Sequence, residues 1–283
     1  MQKEFPVIPH ISHELSEIQE TQRAQIVVKS NDIVRKGCYQ LTPTQQKFLC
    51  FLIADLKDTD TAETVKEYDV NALCDFLGIP NEHNEHLKEF CDVLTAIASR
   101  RWWWIDQDKS KVLLGFLNTV RISSDNKNVL ITFNPDILPY LQALKDNFTS
   151  YRIINVLDMK SAYSMRLYEI LKSAEKLGQW YHDIDYLKML LDCEKYAFGN
   201  FKQKILVPSL AEINEKSDII VDYALYKDGR AYKGIEFYIT PKDKSEKLQA
   251  EKATRENLDA VLLRNHKKEF NQQERPTTER KTK

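Results

Sequence analysis

The chain has 283 residues, 42% of them hydrophobic, and its 41 basic and 42 acidic side chains leave a net charge of −1. That length predicts about two domains of ~150 residues each, and the charge balance excludes a polycation that coats nucleic acid indiscriminately. Five cysteines, odd in number and never two to four apart, indicate neither a disulfide framework nor a zinc cluster and point to a reducing cytoplasm, while no apolar run is long enough to imply a membrane partner.

Residues 1–26 read as a flexible N-terminal arm without the apolar core of a signal peptide. The first helix begins at Leu41-Thr42-Pro43-Thr44-Gln45, with Thr42 as N-cap, Pro43 in the first helical position and Gln45 closing a capping box. Residues 48–56 are apolar nearly all round, so this helix belongs in a core. A short strand over 65–70 and a short helix over 71–77 follow, stopped by Gly78-Ile79-Pro80 ahead of a longer helix over 82–99. Leu87, Phe90, Cys91, Leu94, Ile97 and Ala98 form its buried stripe, and Glu85, Glu89 and Asp92 face outward. Strands are predicted over 102–105, 112–122 and 129–133, and Asn134-Pro135-Asp136 opens a further short helix. The order is helix, strand, helix, helix, hairpin, and a joint near 144–154 closes a first domain of 27–145.

The same order recurs over 146–245: a helix at 161–174, a strand at 180–184, a helix at 185–191, a helix from Asn200, and a hairpin. The first helix start precedes the third by 41 residues in one copy (83 minus 42) and 39 in the other (200 minus 161), which argues for duplication of one module. In the last helix Asn200, Gln203, Lys204, Val207, Ala211 and Asn214 share one stripe, and Phe201, Ile205, Ser209 and Ile213 the adjacent one. One stripe packs and the other reads, since amides, a cation and small apolar groups match the acceptors, donors and thymine methyls of a major groove. Pro208 removes a helix hydrogen bond at a cost of ~3 kcal/mol and predicts a kink or two abutting helices. Strands over 218–226 and 234–240 flank the turn Lys227-Asp228-Gly229-Arg230, whose Asp-Gly signal is accompanied by cations for phosphates. A reading helix followed by such a hairpin is a winged helix. The expected fold class is α+β, two tandem winged-helix domains, and the expected partner is double-stranded DNA.

Charge divides the labour between the copies. Residues 31–145 carry 13 basic and 16 acidic side chains and 146–245 carry 15 of each, so the second copy repels phosphate less and is expected to dominate readout. Gln203 suits adenine and Lys204 guanine, whereas Lys202, Lys227, Arg230 and Lys233 are expected on phosphates. The first copy would contribute through Arg100, Arg101 and its hairpin, or by pairing with another protomer along the long strand 112–122, where Leu117 is a natural probe. Arg100-Arg101-Trp102-Trp103-Trp104 reads either as a stacking platform for unpaired bases or, more simply, as core tryptophans with Trp103 exposed. Histidine pairs at 10/13 and 83/86 lack a completing ligand, so no metal, cofactor or catalytic residue is expected. The tail 246–283, with 10 basic and 7 acidic residues, is polar and mildly basic; Leu248, Leu258, Val261, Leu262 and Leu263 allow a marginal amphipathic helix before a polar end.

Four stretches resemble the replication initiator proteins of iteron-containing bacterial plasmids. They are VVKSND with the TPTQQKFLCFLI helix, FTSY with SAYSMRLYEILK, FKQKIL with EIN, and GRAYKGIEFYI; together they span 27–240. The family often has arginines after the phenylalanine, where this chain has Lys202, Gln203 and Lys204. The resemblance implies a non-enzymatic protein that binds origin direct repeats as a monomer and places its two winged helices in successive major grooves. It also implies opening of an A·T-rich region, recruitment of the host initiator and replicative helicase, and self-repression as a dimer. The alternatives are a double winged-helix transcriptional repressor and, from another class, an origin nickase with a tyrosine nucleophile.

Overall fold

A computed structural model describes residues 25–79, 85–105, 110–142 and 144–273. Most of the N-terminal arm and the last ten residues lie outside that range, and neither histidine pair has a described side chain.

The first module opens with β1 (Ile26–Ser30) and α1 (Asn31–Lys36), followed by α2 (Pro43–Ala54). The Thr42 hydroxyl accepts from the Gln45 N–H and the Gln45 side chain accepts from the Thr42 N–H, completing the expected capping box. α2 buries Phe48, Leu49, Leu52 and Ile53, each contributing ~1.5–3 kcal/mol. Next come β2 (Lys66–Asp69), α3 (Val70–Leu77) and α4 (Glu85–Ser99). Gly78 ends α3 with φ at 69°, the left-handed cap that glycine adopts without strain. Two ribbons follow, β3 (Arg101–Ile105) with β4 (Lys111–Gly115), and β5 (Leu117–Ile122) with β6 (Asn128–Phe133). The single strand expected over 112–122 is thus broken at Gly115-Phe116, where Phe116 turns into the core and carries Leu117 with it. Leu117, 1% exposed, is no surface probe: a charge there would be buried rather than offered to a partner.

After β7 (Phe148–Arg152) the second module comprises α5 (Ile154–Leu157), α6 (Ala162–Lys172), β8 (Gln179–Asp183), α7 (Ile184–Leu190), α8 (Phe198–Phe201), α9 (Val207–Lys216), β9 (Ile219–Asp228) and β10 (Ala231–Pro241). Its sheet has the order β8-β10-β9, and the first module's has the order β2-β6-β5. In both, the early strand pairs with the last, which pairs with the middle one. The duplication therefore holds at the level of topology, and it identifies β5–β6 as the first module's wing. The tryptophan ribbon β3–β4 is additional to the plan; Trp102 and Trp104 face inward at 6% exposure and Trp103 outward at 70%.

Among the described residues the modules are joined chiefly in three ways. β1 pairs antiparallel with β7, Ile26 opposite Arg152 through Ser30 opposite Phe148, bridging the joint expected at 145/146. Behind this ribbon, α6 packs against α2 around a fully buried ion pair, Lys29 Nζ to Glu169 Oε1 at 2.5 Å. Glu169 also accepts from Tyr151 and from Arg166, and Arg166 donates to the carbonyls of Val34 (2.7 Å) and Gly37 (2.8 Å). Lastly, α10 (Lys244–Gln273) straps the rear. Arg152 pairs with Glu251, Asn257 donates to Asp158 (2.9 Å), Thr254 is buried, and Val261 lies against Gly78. Between Glu251 and Leu262 the tail thus belongs to a docked helix rather than a solvated one.

Candidate nucleic-acid interface

The reading helix is continuous from α8 through a π-helical turn (Lys202–Leu206) into α9. Proline explains the turn. Pro208 has no N–H, and its ring would collide with the carbonyl of Lys204 in a regular helix. The widened turn, in which the Val207 N–H reaches back to the Lys202 carbonyl, absorbs that collision without breaking the helix. The irregularity expected from the proline is thus present as a π-helical turn between two α-helical segments.

Phe201, Ile205, Leu206, Ser209, Leu210 and Ile213 form the packed face. Asn200, Gln203, Lys204, Val207 and Ala211 are exposed together on the other side, and Lys202 is half-buried beside them. Asn214, expected on the reading stripe, is spent on structure: its amide accepts from the Val221 N–H (2.7 Å) and donates to the Val221 carbonyl (3.0 Å), pinning β9 to the helix. Glu212 is similarly occupied, accepting from the N–H groups of Lys160 and Ser161 at the start of α6.

The β9–β10 wing stands beside the helix N-terminus. Asp228 pairs with Ala231, so Gly229 and Arg230 are the central residues of a two-residue turn. Positive φ at Gly229 alone (60°) is the II′ pattern, one residue later than the Asp-Gly signal implied. Phe198, at the helix start, stacks on Tyr232 with ring centroids 4.7 Å apart, and the Lys227 ammonium lies 4.7 Å from the same ring. This fixes the wing against the helix and holds one of its cations. Lys227, Arg230 and Lys233 are all exposed, on the wing that carries the Tyr232 stack. Gly234 admits the Tyr181 ring, whose hydroxyl would lie 2.1 Å from any Cβ at that position.

The equivalent helix of the first module, α4, exposes Lys88, Glu89, Asp92, Thr95 and Ser99, a face with more carboxylates than cations. Val93, absent from the stripe expected for it, is buried beside Phe90, Leu94 and Ile97. Arg101 is exposed on the outer face of the tryptophan ribbon, its side chain lying over Gly115. Arg100 is turned instead toward the second module, 3.5 Å from Asp192. The structure thus sets the β9–β10 wing beside the helix, leaves Arg101 on a separate ribbon and turns Arg100 to Asp192.

Repeated topology, a packed helix with one polar exposed stripe, and a cationic wing define a tandem winged-helix protein. Residues 26–172 match the first winged-helix domain of the initiator replication proteins and 183–239 the second, and the chain belongs to that family. It is also similar to an uncharacterized 27.6 kDa protein of Escherichia coli, 27% identical over 103 residues. That match covers 35% of this chain and 43% of the relative, so the chain spans under half of the curated relative's length. Among the described residues no helix is long and apolar enough to cross a membrane.

Proposed function

We propose that this protein initiates plasmid replication without catalysing a reaction, binding direct repeats in origin DNA and recruiting the host initiator and replicative helicase. The observation that carries the reading is the exposed stripe of Asn200, Gln203, Lys204, Val207 and Ala211 beside a wing that presents Lys227, Arg230 and Lys233. Amides and cations on a helix suit base edges, and exposed cations on a hairpin suit phosphates. The second module reads sequence and the first supplies auxiliary contacts, in keeping with the carboxylates on α4.

The test is titration of the full chain against duplexes carrying the candidate repeats. Gln203→Ala or Lys204→Ala is expected to cost ~1–3 kcal/mol and to relax choice at particular base pairs. Arg230→Ala or Lys233→Ala should weaken binding to every sequence alike and reduce the salt slope by ~0.9 per lost contact. If Arg230→Ala changed base preference while Lys204→Ala did not, the two roles would be exchanged.

Self-repression is assigned to a dimer. Among the described strands β5 pairs only with β6, leaving an edge that a second protomer can extend. Such pairing would occupy the first module's wing and keep both modules of a protomer off one repeat. Thr119, exposed on β5, replaces Leu117 as the probe. Thr119→Lys is expected to shift sedimentation toward monomer and increase repeat binding; an unchanged oligomeric state would remove β5 from the switch.

A further inference from the structure

A cavity of about 120 Å³ lies between α2, α3 and α10, walled by Phe76, Leu77, Leu157, Leu258, Val261 and Leu262. Into this apolar lining α2 brings one amine, Lys47, and Lys160 stands beside it. Lys47 makes no hydrogen bond or ion pair among the described residues. The charged groups around it among the described residues are Asp75 on α3, Asp158 and Lys160 beyond α5, and Glu212 and Lys216 on α9; from α10 the described lining is Leu258, Val261 and Leu262. Asp158 is already held by Lys160, Lys216 and Asn257, and Glu212 by two main-chain N–H groups, while Asp75, which shares the cavity lining, forms no ion pair with Lys47 among the described residues.

An amine in that position gives up its proton readily. Burial first, and then the like charge of Lys160, hold Lys47 down to about 8, with Asp158 and Glu212 opposing them only in part. At pH 7 roughly a tenth of it is free amine, against a few parts in ten thousand of an ordinary lysine near 10.4. A desolvated lysine beside a second cation is the arrangement that activates an amine as a nucleophile.

We propose that Lys47 is a site of covalent acylation by small anionic donors of the acyl phosphate class. The free amine attacks the carbonyl carbon and forms the C–N bond. The bond from that carbon to the phosphate oxygen breaks, inorganic phosphate leaves with the electron pair, and the surplus amine proton passes to solvent. Lys160 attracts the donor and the departing phosphate. The product is a neutral amide, which suits the apolar walls and removes an unpaired cation from beneath α10.

The test uses the full chain and acetyl phosphate, with modified positions mapped by peptide mass spectrometry between pH 7 and 10. Lys47 is expected to acetylate at least ten-fold faster than exposed Lys88, Lys111 and Lys176, with a rate that levels off above about pH 8. Lys160→Gln, which leaves the six apolar walls intact, should slow the reaction several-fold and move the plateau upward, because the like charge that lowers Lys47 is lost. Lys47 reacting no faster than the exposed lysines, or showing no plateau below pH 10, would overturn the proposal. Acetylation is further expected to slow deuterium exchange across residues 255–264, and unchanged exchange would show that the modification does not bear on α10.

Discussion

Glu169→Ala is expected to destabilise the protein by about 3–5 kcal/mol in urea denaturation, the effect of leaving a buried charge without its partner. Lys29 is 0% exposed and cannot turn to water. Burial alone would favour the neutral amine; the Glu169 carboxylate outweighs it and holds Lys29 above its ordinary range. Burial likewise works against the Glu169 carboxylate, and Lys29 and Arg166 together keep it below its ordinary range. Its contribution is therefore present above the unfolded carboxylate value and is lost only as pH falls through the lowered one. The cost of the single substitution is distinct from the net worth of the pair. A double variant, Lys29→Met with Glu169→Leu, is expected to recover part of the loss, because desolvation offsets much of the pair's attraction while Arg166 still lacks its carboxylate. A loss below about 1 kcal/mol for Glu169→Ala would mean that water reaches Lys29 and that the junction is not dry.

The second large effect is set by pH. His182 on β8 packs among Trp180 (centroids 4.2 Å apart), Tyr186 and Phe237, and its Nε2 has no partner among the described residues. Burial, then the charge of Arg35, push it down to about 4. Arg35 belongs to α1, yet it lies over the Trp180 ring and donates to the Ser173 hydroxyl and carbonyl, so it is itself part of the junction. With a folded value near 4 and an unfolded value near 6.5, the unfolded chain binds the extra proton between them. Stability is full above pH 6.5 and falls as pH drops toward 4, by about 3 kcal/mol in all. His182→Phe should flatten that slope when midpoints are compared at pH 7 and pH 4.5. An equally steep slope in the variant would transfer the acid sensitivity to the carboxylates.

Local features of this fold were legible before the structure was. The Thr42 capping box, the alternation of Trp102, Trp103 and Trp104, and the exposed stripe from Asn200 to Ala211 all follow from short-range spacing, which sequence displays directly. What escaped needed information from far along the chain. Asn214 has the right spacing for the reading stripe, and only the arrival of Val221 decides that its amide faces β9. Pairing of β1 with β7 joins residues more than 115 positions apart and leaves no local signature. Lys29, Arg166 and Glu169 are charged, so pattern reasoning places them at the surface, whereas mutual pairing allows them to be buried. α10 announces only a marginal apolar face, of which Leu258, Val261 and Leu262 pack inward; Glu251, Thr254 and Asn257, which periodicity does not single out, complete the docking. The same distances bear on experiment. A fragment of 146–245 would lose β1, Lys29 and α10 at once, so differences between the modules are better sought by substitution in the whole chain.

The strap and the ribbon have a metrological consequence. Two reading heads on a loose tether accept any separation their tether can reach, and trade affinity smoothly against distance. Here the tether is replaced by β1 paired with β7, a dry ion pair, and a long helix clamped across the back. On the proposed function the molecule is a fixed gauge rather than a pair of dividers: the length and phase between the second module's reading helix and the first module's auxiliary contacts are set when the chain folds, so a duplex has to match helical pitch as well as base sequence.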